Sequence, residues 1–194
     1  MEIFKLLNSS AKKLKDKNII SHQLDAEILL SNVLKISREK MLIDSNNKIS
    51  PKILPYFQKM LNRRLAQEPV AYILNKREFW SQNFSVNKDT LIPRPETELM
   101  VDRIVKMFKK KKLFILDIGT GSGCILLSLL YELKNSKGIG IDISKNALKV
   151  AYQNAKYLKL NNRAKFFVKC LSKIYNYKFD LIVSNPPYIS KGDF

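Results

Sequence analysis

The sequence predicts an α/β protein in which a small all-helical N-terminal domain precedes a Rossmann-like domain with an incomplete parallel sheet. Two observations carry this prediction. Apolar residues recur at helical spacing through residues 1–66. From Leu113 onward, short apolar runs alternate with helical patterns, which is typical of a parallel sheet with helices on both faces. We place the helical domain at 1–75, a linker at 76–96 and the α/β domain at 97–194.

The helical domain contains three amphipathic segments. Ser21 is a candidate N-cap for the second segment, and Ser50 followed by Pro51 is a start signal for the third. The apolar stripes of the three segments are formed by Ile3, Phe4, Leu6, Leu7, Ala11 and Leu14, then Leu24, Ile28, Leu29, Val33 and Leu34, then Ile53, Leu54, Phe57, Met60, Leu61 and Leu65.

The pattern changes after Pro69. Apolar residues near Phe79, Phe84 and 90–92 lie in short extended runs, which indicate a β-hairpin within the linker. The acidic stretch 96–98 then opens a helix, because acids in a first turn suit the helix dipole.

The four strands of the predicted sheet are short apolar runs separated by two helical patterns. The strands are expected at 113–116, 139–141, 166–168 and 179–183.

The composition limits the classes of function that the chain can have. Apolar residues make up 45% of the 194-residue chain, which is enough for packed cores. We expect no membrane span and no secretion signal, because no continuous apolar run is long enough. Two cysteines without a CxxC pair suit a reducing cytoplasm and give no support for a metal site.

The net charge of +18 has two readings that the sequence leaves open. It favours an acidic partner such as nucleic acid or a ribosome-associated surface. Lysine, however, supplies 28 of the 35 basic residues, which also fits a biased genome composition. Dedicated readers of phosphate and bases depend more on arginine.

A glycine loop follows the first strand of the predicted sheet. Gly119, Gly121 and Gly123 allow a tight turn and a close approach of ligand to backbone, with Thr120 and Ser122 between them. Asp142, at the end of the next strand, is placed to accept from a ribose diol. Asp117 disfavours a pyrophosphate next to the loop, so a cofactor with an amine, such as S-adenosylmethionine, fits better.

A second motif, Asn185-Pro186-Pro187-Tyr188, follows the last apolar strand. Two prolines fix the backbone and remove two N–H donors, which leaves neighbouring carbonyls as acceptors. With the side-chain carbonyl of Asn185, these acceptors can hold an NH₂ group by both hydrogens and aim its nitrogen at a methyl group. Tyr188 can pack on a flat acceptor group.

These motifs, together with 68–72, 77–80 and 90–98, resemble the release-factor glutamine N5-methyltransferases. The resemblance implies transfer of methyl from S-adenosylmethionine to the glutamine of a Gly-Gly-Gln tip in peptide-chain release factors, with the helical domain engaging the factor. It assigns the methyl donor to Gly119, Thr120, Gly121, Ser122, Gly123, Asp142, Cys170 and Asn185. It assigns the glutamine amide, and the catalytic role, to Asn185, Pro186, Pro187 and Tyr188.

Two departures from the family pattern bear on activity. Lys169-Cys170 stands where the family has an acidic and an aromatic residue near adenine, and the chain stops at Phe194 whereas the family continues. We therefore expect the 194-residue chain to be a poor or inactive catalyst by itself. Two alternatives remain open at this point. One is an adenine-N6 nucleic-acid methyltransferase, since the 185–188 motif is shared with that class, and the other is a truncated remnant that only binds.

Overall fold

A computed structural model describes residues 1–168 and 178–186 of the chain. The chain divides into two compact units, Met1–Leu74 and Asn75–Phe194. The first unit is helical, and the second contains a parallel sheet with helices packed against it. The fold class predicted from the sequence is therefore confirmed.

The first unit is built from helices whose apolar faces share one core. The helices are α1 (Ile3–Asp16), α2 (His22–Leu34), α3 (Arg38–Ile43), α4 (Leu54–Leu65) and α5 (Val70–Leu74). The sequence did not predict α3 and α5, because six and five residues are too short for a periodic apolar pattern. Fully enclosed side chains of this core are Leu14, Leu29, Leu30, Met41, Phe57 and Leu61.

Both serine start signals act differently from the prediction. The hydroxyl of Ser21 donates to the carboxylate of Asp25 at 2.8 Å instead of accepting a backbone N–H of α2. Ser50 precedes a 3₁₀ turn, Pro51–Ile53, and makes no side-chain cap. Helix α4 begins afterwards, with Pro55 in its first turn, where a missing N–H costs no hydrogen bond.

The turn between α4 and α5 is held by the guanidinium of Arg63. Its Nε donates to the Glu68 carboxylate at 2.7 Å, and its two terminal nitrogens reach the carbonyls of Ile73 and Tyr72 at 3.1 and 3.2 Å. Glu68 orients the guanidinium, and the guanidinium satisfies carbonyls of α5. The stretch 68–72 therefore has a structural role in the first unit.

The second unit contains a parallel sheet in the order β5-β4-β3-β6 among the described residues. Its strands are β3 (Phe114–Ile118), β4 (Lys137–Asp142), β5 (Ala164–Val168) and β6 (Leu181–Ser184). Helices α6 (Thr97–Phe108), α7 (Cys124–Glu132) and α8 (Lys145–Tyr157) belong to the same unit. Strand β3 lies between β4 and β6, and its register brings Ile118 level with Ile141 on one side and Ser184 on the other.

The core of the second unit lies between the sheet and its helices. Helix α7 is buried almost all round, as expected for a helix whose polar residues are few. The core includes Val101, Ile115, Leu126, Leu127, Leu129, Leu130, Ala155 and Val183.

An antiparallel hairpin, β1 (Lys76–Phe79) and β2 (Gln82–Ser85), opens the second unit. Phe79 and Phe84 are buried in the core of that unit and meet edge to face, with ring centroids 6.2 Å apart. The sequence placed this hairpin in a linker at 76–96, and in the structure the second compact unit begins at Asn75 and includes it. The hairpin turn is formed by Trp80 and Ser81, both at positive φ (50° and 54°).

Strand β6 has one strand neighbour, β3, among the described residues. Its Val183 is buried, whereas Ile182 is 57% exposed on the other face. A strand that is apolar on both faces is typical of the interior of a parallel sheet. The sequence of β6 is therefore typical of an interior strand, whereas in the structure the face that carries Val183 is buried and the face that carries Ile182 is exposed.

Candidate active site

Three segments that the sequence predicts to be functional lie at one edge of the sheet, where the parallel strands end. The glycine loop follows β3, Asp142 ends β4, and Asn185 follows β6. In open α/β sheets, ligands bind at the carboxyl ends of the strands. The topology therefore brings the glycine loop and Asp142 to the same edge of the sheet as Asn185, although these residues are far apart in the sequence.

The glycine loop is a turn that only glycine adopts without strain. Gly119, Gly121 and Gly123 have φ of 70°, 54° and 78°, in the left-handed region. The N–H groups of Gly119 and Thr120 both donate to the carbonyl of Ile141 at 2.9 Å, which ties the loop to the end of β4. A Cβ built on Gly119 would meet no described atom within 4 Å, so the backbone here is open to a ligand.

Asp142 is half-buried and its carboxylate is oriented by two backbone N–H groups. One oxygen accepts from Gly121 at 3.0 Å and the other from Ser144 at 2.9 Å. Each carboxylate oxygen has a further lone pair, so two acceptor positions remain for hydroxyl donors. Ile143, the next residue, is 83% exposed and offers an apolar surface beside the carboxylate.

Asp117 lies behind the loop and is buried, with 1% of its surface exposed. The hydroxyl of Thr120 donates to its Oδ2 at 2.6 Å, and Oδ1 has no partner among the described residues. Burial raises the pKa of Asp117 from 3.8 to about 7, with the Thr120 hydrogen bond opposing the shift. This carboxyl is a buried acid directly beneath the loop.

The raised pKa makes stability depend on pH. Between about pH 4 and about pH 7 the folded chain binds more protons at Asp117 than the unfolded chain, so stability falls as pH rises and levels off above that range. We expect the free energy of unfolding of the wild type to fall by an amount on the order of 2 kcal/mol between about pH 5 and about pH 8, and we expect Asp117→Asn to remove this fall. Urea unfolding followed by the fluorescence of Trp80, the single tryptophan, measures this. A variant with the pH dependence of the wild type would contradict it.

Asn185 is positioned by a residue that sequence reasoning missed. Its Nδ2 donates to Oγ1 of Thr97 at 2.9 Å, and Thr97 is buried in the first turn of α6. The side-chain N–H₂ is thus directed at Thr97, and no described residue donates to Oδ1 of Asn185. The side-chain carbonyl is therefore available as an acceptor. Thr97 lies in the quoted stretch 90–98, but no spacing rule pairs it with a residue 88 positions later.

Two cavities meet at Asn185. One, of about 50 Å³, is lined by the glycine loop and by Leu91, Ile92 and Pro93, and the other, of about 230 Å³, by Glu96 and Met100. Both include Arg94, Thr97 and Asn185 in their walls. A ligand against the loop and a ligand against α6 would therefore meet at the Asn185 side chain.

Several predicted residues cannot be placed. Cys170, Pro187 and Tyr188 lie outside the described residues, and Pro186 is exposed directly after Asn185. The structure therefore brings Gly119, Thr120, Gly121, Ser122, Gly123, Asp142 and Asn185 together at the sheet edge. Ile143, which is exposed beside Asp142, was also missed, although an apolar residue directly after a strand-end acid is visible in the sequence.

The described residues give little support for catalysis by a nucleophilic cysteine or by a metal ion. Cys124 lies at the start of α7, and burial raises the pKa of its thiol to about 12, so it stays protonated. Within 1–168 and 178–186, no group of three or more His, Cys, Asp or Glu side chains is arranged to hold a metal ion. The helices in those ranges include none with the length and apolarity needed to span a bilayer.

Comparison with known proteins matches both units. Residues 5–74 match the family described as PrmC N-terminal domain, and residues 95–193 match the family described as Methyltransferase small domain. A release factor glutamine methyltransferase from Buchnera aphidicola subsp. Acyrthosiphon pisum is 40% identical over 193 residues, covering 100% of this chain and 69% of the relative.

Two further relatives extend this finding. A protein of the same name from Caulobacter vibrioides is 38% identical over 191 residues, covering 97% of this chain and 66% of its own length. A bifunctional methyltransferase from Rickettsia prowazekii is 41% identical over 208 residues, covering 97% of this chain and 40% of its own length. The chain thus spans about two thirds of the single-function relatives and less than half of the bifunctional one.

Proposed function

This chain belongs to the release factor glutamine methyltransferase family, and we propose that it methylates the glutamine side-chain amide in the Gly-Gly-Gln motif of peptide-chain release factors. The observation that carries the proposal is the anchoring of Asn185. Its N–H₂ is held by Thr97, and its carbonyl is left as an acceptor between the glycine loop and α6.

S-adenosylmethionine is the methyl donor, and the residues at the sheet edge fit it. It supplies an electrophilic methyl group on a positively charged sulfur. Asp142 would accept from the two ribose hydroxyls, and Ile143 would cover the adenine ring. The open backbone at Gly119 admits the chain that carries the donor's amine. When ionised, Asp117, whose Oδ1 has no partner among the described residues, would disfavour a pyrophosphate there, whereas it would tolerate a cation next to it.

The acceptor amide needs help because its nitrogen lone pair is delocalised into the carbonyl. We assign the side-chain carbonyl of Asn185 to one amide hydrogen and a carbonyl near Pro186 to the other. Holding both hydrogens aims the lone pair along the line of transfer, with the reacting atoms roughly 3–3.5 Å apart. The nitrogen gains the methyl group and loses one hydrogen as a proton, while the electron pair of the broken carbon–sulfur bond stays on sulfur.

The helical unit and the net charge indicate which partners the chain would bind. The helical unit 1–74, similar to the PrmC N-terminal domain, would engage the release factor. The net charge of +18 would favour association near acidic ribosomal surfaces, where release factors act. The chain would then work in the cytoplasm, where translation takes place.

A competition assay tests the proposal. The chain is incubated with methyl-labelled S-adenosylmethionine, purified release factor and nucleic acid in one reaction, beside a full-length relative as positive control. We expect label on the release factor, at a rate well below that of the full-length relative, because the 194-residue chain is expected to be a poor catalyst by itself. Label on nucleic acid alone would show adenine-N6 chemistry instead, and donor binding without label on either acceptor would identify a protein that only binds.

A further inference from the structure

Asn154 in α8 is a buried polar residue that the proposed chemistry does not use. Only 1% of its surface is exposed, and its side chain bonds to backbone groups at every hydrogen bond it makes with a described residue. Its Oδ1 accepts from the N–H of Ser85 at 2.7 Å, and its Nδ2 donates to the carbonyls of Ser85 and Ser122 at 3.0 and 2.8 Å. One amide thus joins the β1–β2 hairpin to the glycine loop.

The bond to Ser122 acts on the part of the loop that faces the ligand cavity. Ser122 lies between two glycines, whose freedom of φ would otherwise leave the loop several conformations. Fixing its carbonyl complements the bond from the Gly123 N–H to the Thr120 carbonyl at 2.8 Å. Asn154 therefore selects one shape of the donor loop.

The opposite end of the hairpin reaches the acceptor side. The backbone N–H of Trp80, in the turn, donates to Oε1 of Glu98 at 3.0 Å. Glu98 follows Thr97 in the first turn of α6, and Thr97 holds the amide of Asn185. The indole N–H of Trp80 also donates to Glu132 at 3.0 Å, which fixes the turn from a second side.

The β1–β2 hairpin is not stable enough to hold its conformation by itself. Two strands of four residues are marginally stable when isolated, and their turn carries positive φ at two residues other than glycine. Its conformation is held by the burial of Phe79 and Phe84 and by hydrogen bonds at both ends, which join Ser85 to Asn154 and Trp80 to Glu98 and Glu132.

We propose that Asn154 and Glu98 are positioning residues that, through the β1–β2 hairpin, set the donor loop relative to the acceptor-binding Asn185. This rests on the proposed methyl transfer from donor to glutamine amide. Neither residue touches the reacting atoms. Each would act on the alignment of the two substrates and leave their separate affinities nearly unchanged.

The test uses the full chain as wild type, Asn154→Ala, Glu98→Ala and Glu98→Gln. Asn146→Ala is the matched control, because Asn146 is an exposed asparagine of the same helix whose side chain bonds to Lys149 and to no other residue in 1–168 or 178–186. Hydrogen–deuterium exchange is read at 82–85, 97–99 and 119–123, and kcat and KM are measured with release factor.

We expect Asn154→Ala to raise exchange at 82–85 and 119–123 and to lower kcat on the order of 10²-fold, since misplacement by about 1 Å costs that much. KM for the release factor should stay within about threefold, because substrate contacts are kept. Glu98→Ala should raise exchange at 97–99 and lower kcat in the same direction. Glu98→Gln should restore both, because its amide oxygen can still accept from Trp80.

Two results would overturn the proposal. One is hydrogen–deuterium exchange at 119–123 in Asn154→Ala that equals that of the wild type. The other is a kcat that is unchanged in both alanine variants. If Asn154→Ala does not fold, the two variants of the half-buried Glu98 provide the test. If Glu98→Gln fails to restore the kcat and the exchange that Glu98→Ala changes, the positioning role is wrong. Exchange requires no turnover, so a wild-type chain that leaves the release factor unmethylated refutes the proposed function while exchange still tests the positioning.

Discussion

Replacing Asn185 by alanine is expected to lower methyl transfer by at least about 10²-fold. The variant loses the carbonyl assigned to one hydrogen of the acceptor amide, so that amide is no longer aimed at the methyl group. Folding should be little affected, because Asn185 is half-buried in a loop after β6 and its side chain makes one hydrogen bond, to Thr97, within the described part of the chain. The measurements are single-turnover transfer to release factor and urea unfolding followed by Trp80 fluorescence.

Two further variants sharpen this result. Thr97→Val keeps Asn185 but removes the hydroxyl that orients it, so we expect a smaller loss of transfer, about tenfold. Asn161→Ala is the control, because Asn161 is an exposed asparagine whose side chain bonds to Asn162. Near-normal turnover in Asn185→Ala would show that the acceptor amide is held elsewhere.

Replacing Asp142 by alanine should weaken donor binding by about 1.5–3 kcal/mol, the cost of losing hydrogen bonds to a charged acceptor. Calorimetry with S-adenosylmethionine measures the change, and the KM for release factor should move less. Asp142 also accepts from Gly121 and Ser144, so Asp142→Asn, which keeps an acceptor oxygen, separates the loss of charge from the loss of loop order.

A matched control comes from α6. Asp102 forms an exposed ion pair with Lys106 at 2.7 Å on that helix, so Asp102→Ala removes an aspartate of similar solvent exposure outside the site. Its donor affinity should equal that of the wild type. Equal affinity in Asp142→Ala as well would contradict the ribose assignment.

The fold could be predicted in outline because its signals are local. Apolar runs marked the four strands, and the positive φ required at Gly119, Gly121 and Gly123 explains the glycines that marked the loop. Short helices such as α5 were not predicted, because five residues are too few to show a helical period of apolar residues. Ser21 looked like a cap, but a nearby carboxylate, Asp25, competed for its hydroxyl.

The site could be predicted only in part, because its geometry depends on contacts between distant residues. Asn185 was expected at the sheet edge, but its partner Thr97 is 88 residues away, and no periodicity relates them. Asn154 looks like any polar residue of an amphipathic helix until the hairpin and the loop are seen on either side of it. Such residues are recognised from buried hydrogen bonds, which a sequence pattern does not encode.

The most direct test of the central claim locates the methyl group on the product. Release factor is incubated with the chain and S-adenosylmethionine and digested, and the tip peptide is sequenced by tandem mass spectrometry, beside a factor whose tip glutamine is replaced by asparagine. We expect one methyl group on the glutamine side-chain nitrogen and none on the replaced factor. A methyl group at another residue, or an unmodified tip where a full-length relative methylates it under the same conditions, would contradict the proposed function.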